Sequence, residues 1–199
     1  VPWHWQVPAY LVTKAIGAGT FIVAAVGVAL GVFPTTQPFT TIPALISVVF
    51  MAVTTVLLVW DLDRPERFWM ILVRPQWRSW LTRGSFILVG FSGLSALFFV
   101  AHLFDFAYLV MWLNWPAVAL GVLSAIYTGF LFAQAEGRDM WQSALLPWHM
   151  LIQAVMGGAA GLLMLSPVLL PSQDVVNALV WTFGFSLLVN LLITIGEGF

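Results

Sequence analysis

Six long apolar stretches set the strongest limit on what this chain can fold into. They cover about residues 8–33, 41–60, 83–103, 115–134, 144–166 and 175–195. Each is close to or above the roughly 20 residues that a helix needs to cross the hydrocarbon core of a bilayer. Helices also satisfy every backbone polar group internally, as lipid requires. The sequence therefore predicts an all-α membrane protein, in which residues 1–199 form one transmembrane helical-bundle domain of about six helices.

The composition excludes an ordinary soluble domain and several kinds of metal centre. Hydrophobic residues make up 61% of the chain and charged residues 8%, whereas soluble domains carry about 25% charged residues. Cysteine is absent, which excludes disulfides and Cys-ligated zinc or iron–sulfur centres within this chain. Of the three His residues, His4 and His149 lie toward one membrane surface and His102 toward the other. No interior pair can ligate a haem, so we expect a haem-free chain without a metal site.

Most of the basic residues lie in one segment, residues 61–84, between the second and third spans. This segment contains five of the seven Lys and Arg residues, together with Asp61. Counting crossings places it on the same side as the N-terminus, the loop 135–143 and the end of the sixth span. We call this side the charged face. The opposite side, the far face, carries Asp105 and Asp174 but no Lys or Arg.

Two readings of the charged face remain open. The positive-inside rule would make it cytoplasmic. Arginines on a membrane surface can instead bind the carboxylates of a partner protein or the phosphates of lipids. The side of the membrane is therefore left undecided.

Polar side chains inside membrane spans are costly and mark candidate functional sites. Gln6, Tyr10 and Lys14 follow helical i, i+4, i+8 spacing and share one face of the first span. Tyr127 lies at a similar depth near the end of the fourth span, where a phenol could donate a hydrogen bond to a quinone carbonyl. The alternatives are a Lys14 that snorkels to the membrane surface and a Tyr127 that is bonded to a backbone carbonyl. No acidic residue lies at mid-depth, so the residues alone do not reveal a complete proton relay.

Glycines at i, i+4 spacing predict close helix packing at two positions. Gly27 and Gly31 form such a pair in the first span, and Gly157 and Gly161 form another in the fifth. Pairs of this kind let helix backbones approach each other in a membrane. We interpret both pairs as sites of bundle assembly.

Three motifs resemble a known family. They are W-H-W-Q-V-P-A-Y at residues 3–10, D-L-D-R-P-E-R-F-W at 61–69 followed by S-W-L-T-R-G at 79–84, and Y-T-G-F-L-F-A-Q-A-E-G-R-D-M-W-Q-S-A-L-L-P at 127–147. In this order they resemble the NrfD-like membrane subunits, the family of the polysulfide reductase membrane anchor. Family members have eight or more helices, so six spans would make this chain a part of the full bundle.

The resemblance implies a haem-free subunit that binds menaquinone or ubiquinone in the cell (inner) membrane of a bacterium or archaeon. Its expected partners are a four-cluster ferredoxin-like iron–sulfur subunit and a molybdopterin or related catalytic subunit. In the polysulfide reductase version, the quinone site uses an Asn and a His at the start of the first helix and a Tyr near the end of the fourth. The Tyr matches Tyr127, whereas the Asn position falls on Val7 and the His position on Tyr10.

These considerations together predict three groups of site residues. The candidate quinone-binding residues are Gln6, Tyr10, Lys14, Tyr127 and His149. Asp61 and Glu197 are the candidate proton-handling residues. The residues expected to dock the iron–sulfur partner are Arg64, Arg67, Arg74, Arg78, Arg83 and Arg138.

The leading functional hypothesis is electron transfer between the quinone pool and the iron–sulfur partner. Coupling of this transfer to proton movement is left open by the sequence. One alternative is a purely structural membrane anchor without a quinone site. A third possibility is a transporter, which would require a cavity at the membrane midplane next to broken helices.

Overall fold

The structure, a computed structural model, describes residues 5–61, 68–133 and 144–197. These residues form only helices and the turns between them. The helices are α1 (Gln6–Ala29), α2 (Gln37–Trp60), α3 (Phe68–Val73), α4 (Trp80–Leu103), α5 (Ala107–Ala133), α6 (Leu146–Met164), α7 (Ser166–Leu169) and α8 (Gln173–Glu197). Six of them, all except α3 and α7, are long and apolar enough to cross a membrane. The predicted all-α membrane fold is confirmed.

The fourth span differs most from its expected bounds. Helix α5 begins at Ala107 rather than near Trp115, and Pro116 lies inside it. A proline lacks the N–H that a helix interior uses, and so it reads as a boundary in the sequence. Within a membrane bundle, neighbouring helices can satisfy the backbone group that it frees. The residues before Pro116 therefore form the first turns of α5.

Helix α1 occupies the centre of the bundle. It packs against α2, α5 and α6, while α4 packs against α2 and α5, and α8 packs against α6. Aromatic pairs join helix ends at the charged face: the rings of Trp5 and Trp60 are 5.9 Å apart, and Trp80 stacks on Phe130 at 4.7 Å. The start of α1 thus meets the end of α2, and the start of α4 meets the end of α5.

Helices α1 and α6 cross with their backbones in direct contact. A Cβ atom built on Gly158 would lie 2.1 Å from the carbonyl carbon of Gly19, and one on Gly19 would lie 1.7 Å from the carbonyl oxygen of Ala154. Only hydrogen atoms fit between these backbones. Gly157, by contrast, has ordinary spacing, with its nearest neighbour 3.8 Å from a built Cβ. The crossing therefore lies next to the expected Gly157–Gly161 pair, one residue away from Gly157.

The expected packing role of Gly27 and Gly31 is wrong. Gly31 lies beyond the end of α1 with a φ of +71° and with nothing within 4 Å of a built Cβ. It serves the turn that follows the helix, where a positive φ favours glycine. Gly27 contacts the ring of Phe33, which folds back onto α1 after that turn.

Candidate functional site at the charged face

The polar face of α1 points into the bundle. Tyr10 and Lys14 are each 2% exposed, and Tyr127 on α5 is 3% exposed. Gln6, one turn nearer the charged face, is half-buried. Lys14 lies about 12 Å along the axis from the start of α1, at 1.5 Å per residue. The structure thus brings together three predicted quinone-binding residues from two helices.

Lys14 is held inside the bundle by groups on α5. Its Nζ donates a hydrogen bond to Oγ1 of Thr128 and lies 4.6 Å from the centroid of the Tyr127 ring. The Thr128 hydroxyl in turn donates to the sulfur of Met150 on α6, at 3.1 Å. We call Lys14, Tyr127, Thr128 and Met150 the lysine cluster. Because its amino group contacts a hydroxyl and an aromatic face rather than the membrane surface, the snorkelling alternative for Lys14 is wrong.

Gly84 on α4 positions the Tyr127 ring. A Cβ at this glycine would lie 2.2 Å from a carbon of the ring, so the ring occupies space that any other residue would fill. Gly84, Thr128 and Met150 were not predicted from the sequence as members of the site. A glycine inside a helical span was the available signal for Gly84, because a glycine there costs helix stability and often has a packing reason.

Tyr10 lies on α1 one turn nearer the charged face than Lys14. Its hydroxyl lies within electrostatic range of Tyr127 and of Asp61, which follows the last residue of α2. Oδ1 of Asp61 and Oε1 of Gln6 are both buried and have no hydrogen-bond partner among the described residues. Buried polar atoms in proteins are nearly always bonded. Two buried acceptors near Tyr10 thus lack a partner in the described part of the chain.

His149, on α6, lies near the same site. Its Nε2 is 3.2 Å from the amide nitrogen of Gln153, one helical turn further into the membrane. Gln153 and Lys14 both line a cavity of about 40 Å³ between α1, α5 and α6. A space of this size is large enough for one water molecule. Between His149 and Lys14 the structure thus has one hydrogen bond and one small cavity, in which Lys14 and Gln153 are the polar lining residues.

The predicted docking arginines divide into two groups. Arg74, Arg78 and Arg83 are exposed at the charged face. Arg83 is also held locally, because its Nε donates to the carbonyl oxygen of Trp77 at 2.7 Å and its guanidinium lies 5.0 Å from the Trp80 ring. Arg64, Arg67 and Arg138, as well as the side chain of Glu197, lie outside the described residues.

Two further predictions concern the positions of the quinone site and the binding of metal ions. Val7, at the position where the polysulfide reductase site has an Asn, is buried and offers no polar side chain. Tyr10, at the position of the His, supplies a hydroxyl instead. Within residues 5–61, 68–133 and 144–197, no three His, Asp or Glu side chains come close enough together to hold a metal ion.

Comparisons with known proteins identify the family. The model of the family described as "Polysulphide reductase, NrfD" matches residues 1–193. The C subunit of the polysulfide reductase of Wolinella succinogenes is 25% identical over 185 residues, an alignment that covers 83% of this protein and 58% of the relative. The sequence thus spans little more than half of that relative's length. With its six helices able to span a bilayer, it is a multi-pass membrane protein that belongs to the NrfD family.

Proposed function

We propose that this chain is the quinone- or quinol-binding membrane subunit of a multisubunit respiratory oxidoreductase. It passes electrons between the quinone pool and an iron–sulfur partner subunit, in the cell (inner) membrane of a bacterium or archaeon. The quinone, menaquinone or ubiquinone, supplies the redox chemistry: oxidation of the quinol releases two electrons to the partner and two protons to the protein. Family membership supports the class of complex, and the buried site at the charged face supports the binding of a quinone.

The observation that carries this proposal is the buried lysine cluster with Tyr10 and Asp61 beside it. An ionisable side chain without a counter-charge costs free energy inside a membrane span, and such side chains are found at functional sites. Two phenol groups and an ammonium group offer donors for the carbonyl oxygens of a quinone, and Asp61 offers an acceptor for a quinol hydroxyl. The donor set therefore fits a neutral ring that alternates between carbonyl and hydroxyl forms.

The residues of this chain have separate tasks in the proposed site. Tyr10 and Tyr127 hold the ring oxygens by hydrogen bonds, and Gly84 keeps the Tyr127 ring in place. Asp61 accepts a proton near the membrane surface. His149 and Gln153 conduct a proton toward or away from Lys14 through their contact and the small cavity beyond it.

The proposed partner binds at the charged face. Arg74 and Arg78 are exposed there, on the same side of the membrane as Asp61 and the start of α1. A ferredoxin-like iron–sulfur subunit that docks on this surface would place a cluster next to the site. Arginine pairs well with carboxylates because its planar guanidinium forms two parallel hydrogen bonds. A molybdopterin or related catalytic subunit would complete the assembly.

Replacing Tyr127 by Phe tests the quinone site. The variant removes one hydroxyl, and in the purified complex we expect turnover with a quinone or quinol substrate to fall by about tenfold, as for one lost hydrogen bond in a buried site. Reaction of the catalytic subunit with a soluble dye, which bypasses the quinone, should not change. Tyr108→Phe is the matched control, because Tyr108 is 72% exposed at the far face.

Two results would count against the proposal. Unchanged quinone kinetics and affinity in Tyr127→Phe would remove the assigned role of Tyr127. Complete absence of quinone from the purified complex, together with insensitivity to quinone-site inhibitors, would favour the purely structural anchor. The described parts of the six spans are continuous helices, so they lack the broken helices that would favour a transporter.

A further inference from the structure

The far face contains a cavity that the proposed function does not use. Its volume is about 490 Å³, and α1, α2, α4 and α5 all contribute to its walls. This volume lies in the range of roughly 300–1,000 Å³ that is typical of small-molecule sites. Phe21, on its inner wall, lies two helical turns beyond Lys14 along α1. The cavity is therefore separate from the lysine cluster and opens toward the opposite side of the membrane.

The inner part of the cavity is apolar and aromatic. Phe21 packs edge-to-face against Phe98, with ring centroids 5.1 Å apart, and both rings line the space. Ala24, Ala25 and Ala44 provide small side chains between them. Aromatic rings next to small residues leave a space into which a flat ring or an isoprenoid chain can fit.

The outer part carries the polar groups. His102, Asp105 and Asn114 line the cavity at the end of α4 and the start of α5. The His102 ring packs against Phe98 at 4.6 Å, and its Nε2 is buried with no hydrogen-bond partner among the described residues. Asp105 follows α4 in a left-handed conformation with a φ of 60°, which fixes its position at the rim. An imidazole, an amide and a carboxyl side chain therefore line one end of an apolar space.

The charge of the lining selects against anionic ligands. It contains Asp105 but no Lys or Arg, and no Lys or Arg of the sequence lies on the far face. A phosphate headgroup would be repelled by Asp105 and would find no cation to bind it. A neutral molecule with hydroxyl or carbonyl groups meets hydrogen-bonding partners at the rim and aromatic walls inside.

We propose that this cavity is a second binding site, for a neutral amphipathic ring molecule of the quinone or quinol class. The hydrogen-bonding ring lies between His102, Asp105 and Asn114, and the apolar part of the molecule extends along Phe21 and Phe98. This assignment concerns binding only. It rests on the far-face cavity and is independent of the site at the lysine cluster.

Photoaffinity labelling tests the second site. The full purified complex is incubated in detergent micelles with an azido-substituted short-chain quinone, illuminated and digested, and the labelled peptides are identified by mass spectrometry. We expect label on peptides that include His102 to Trp115, and unlabelled quinone should displace it. Label near Tyr10 or Tyr127 reports the charged-face site separately, so either site can fail without the other.

Two variants locate the binding to the cavity. Asn114→Leu removes a polar group from the rim and should reduce far-face labelling by about tenfold, the effect of one lost hydrogen-bonding partner, without changing the label near Tyr127. Asn177→Leu is the matched control, because Asn177 lies on the exposed side of α8 near the far face and outside the cavity. Ala25→Leu fills the inner space and should also reduce the label, with thermal unfolding of the complex measured to verify that the variant folds.

Three outcomes would overturn the assignment. The first is no label on the far-face peptides of the wild-type complex. The second is label that persists at full strength in both Asn114→Leu and Ala25→Leu, which shows nonspecific partitioning. The third is label that an added anionic phospholipid displaces and unlabelled quinone does not, which identifies the cavity as a lipid site.

Discussion

Lys14 is the residue on which the charged-face site depends most. It is 2% exposed, and its described contacts are the Thr128 hydroxyl and the Tyr127 ring, neither of which carries a formal charge. A lysine costs about 2.5–3.5 kcal/mol at the centre of a membrane helix on insertion scales, and Lys14, about a third of the way along α1, carries part of that cost. In the proposed function, this cost is retained because Lys14 takes part in quinone binding.

Replacing Lys14 by Met separates function from stability. Methionine has a similar length and can fill the space without a charge. Because a buried charge contributes little net stability, we expect the midpoint of thermal unfolding to stay the same or to rise. Turnover with quinol should fall by about tenfold or more, since a charged hydrogen-bond donor is lost.

Thr128→Val provides the companion variant. It keeps the shape of the side chain but removes the hydroxyl that accepts from Lys14 and donates to Met150. An intermediate loss of turnover is expected, together with lower stability, because the lysine then loses its hydrogen-bond acceptor. Full quinol activity in Lys14→Met would remove the lysine from the mechanism.

At the scale of elements, the crossing of α1 and α6 sets where the lysine cluster forms. Gly19 and Gly158 bring the two backbones together, about one and a half turns beyond Lys14 along α1. Met150 and Gln153 on α6 then lie beside Lys14. The crossing therefore places α6 beside the lysine cluster, where Met150 accepts the hydrogen bond from Thr128.

Gly158→Ala should separate the helices and destabilise the bundle. Its new methyl group would meet the backbone of Gly19, and overpacking of this kind typically costs about 1–3 kcal/mol. Gly157→Ala is the matched control, because the same change one residue away meets nothing closer than 3.8 Å. Thermal unfolding in detergent should show a lower midpoint for Gly158→Ala alone, and equal midpoints for the two variants would contradict the crossing.

The sequence predicted the helices better than it predicted the contacts between them. Hydropathy revealed six spans because the length and polarity of a helix are local properties. The same reasoning placed Tyr10 and Lys14 on one face. It did not find Gly84 or Met150, since their role depends on how α4 and α6 are rotated toward α5. Gly31 was misread because a glycine pair looks the same inside a helix and at its end. The predicted site roles themselves stay predictions.

At the scale of the whole molecule, the two faces differ in the partners that they suit. Exposed arginines lie at one face, whereas the other opens into an apolar cavity with an acidic rim. A soluble subunit with carboxylates on its surface complements only the first of these. We therefore expect the charges of the two faces to determine which face of this protein binds the soluble subunit.

Neutralising two arginines tests this docking surface. In Arg74→Gln/Arg78→Gln, we expect less iron–sulfur subunit to copurify, and the loss should grow with salt concentration because the remaining ion pairs are screened. Arg83 is left in place, since it supports the local fold through Trp77. Ser172→Glu/Gln173→Glu changes the net charge by the same amount at the far face and should have no effect. Equal copurification in both double variants would exclude docking through these arginines.

The contact between Lys14 and Thr128 has a consequence for the biogenesis of the protein. The two residues are 114 positions apart in the sequence, and at roughly 5–20 residues per second a ribosome needs on the order of ten seconds to bridge that gap. During that interval α1 is already made, but its hydroxyl and aromatic partners do not yet exist. The lysine must wait at the lipid surface or in the insertion machinery, and it enters the bundle only when α5 and α6 arrive. Assembly of the buried site is thus a late event in synthesis, and α1 depends on helices made long after it.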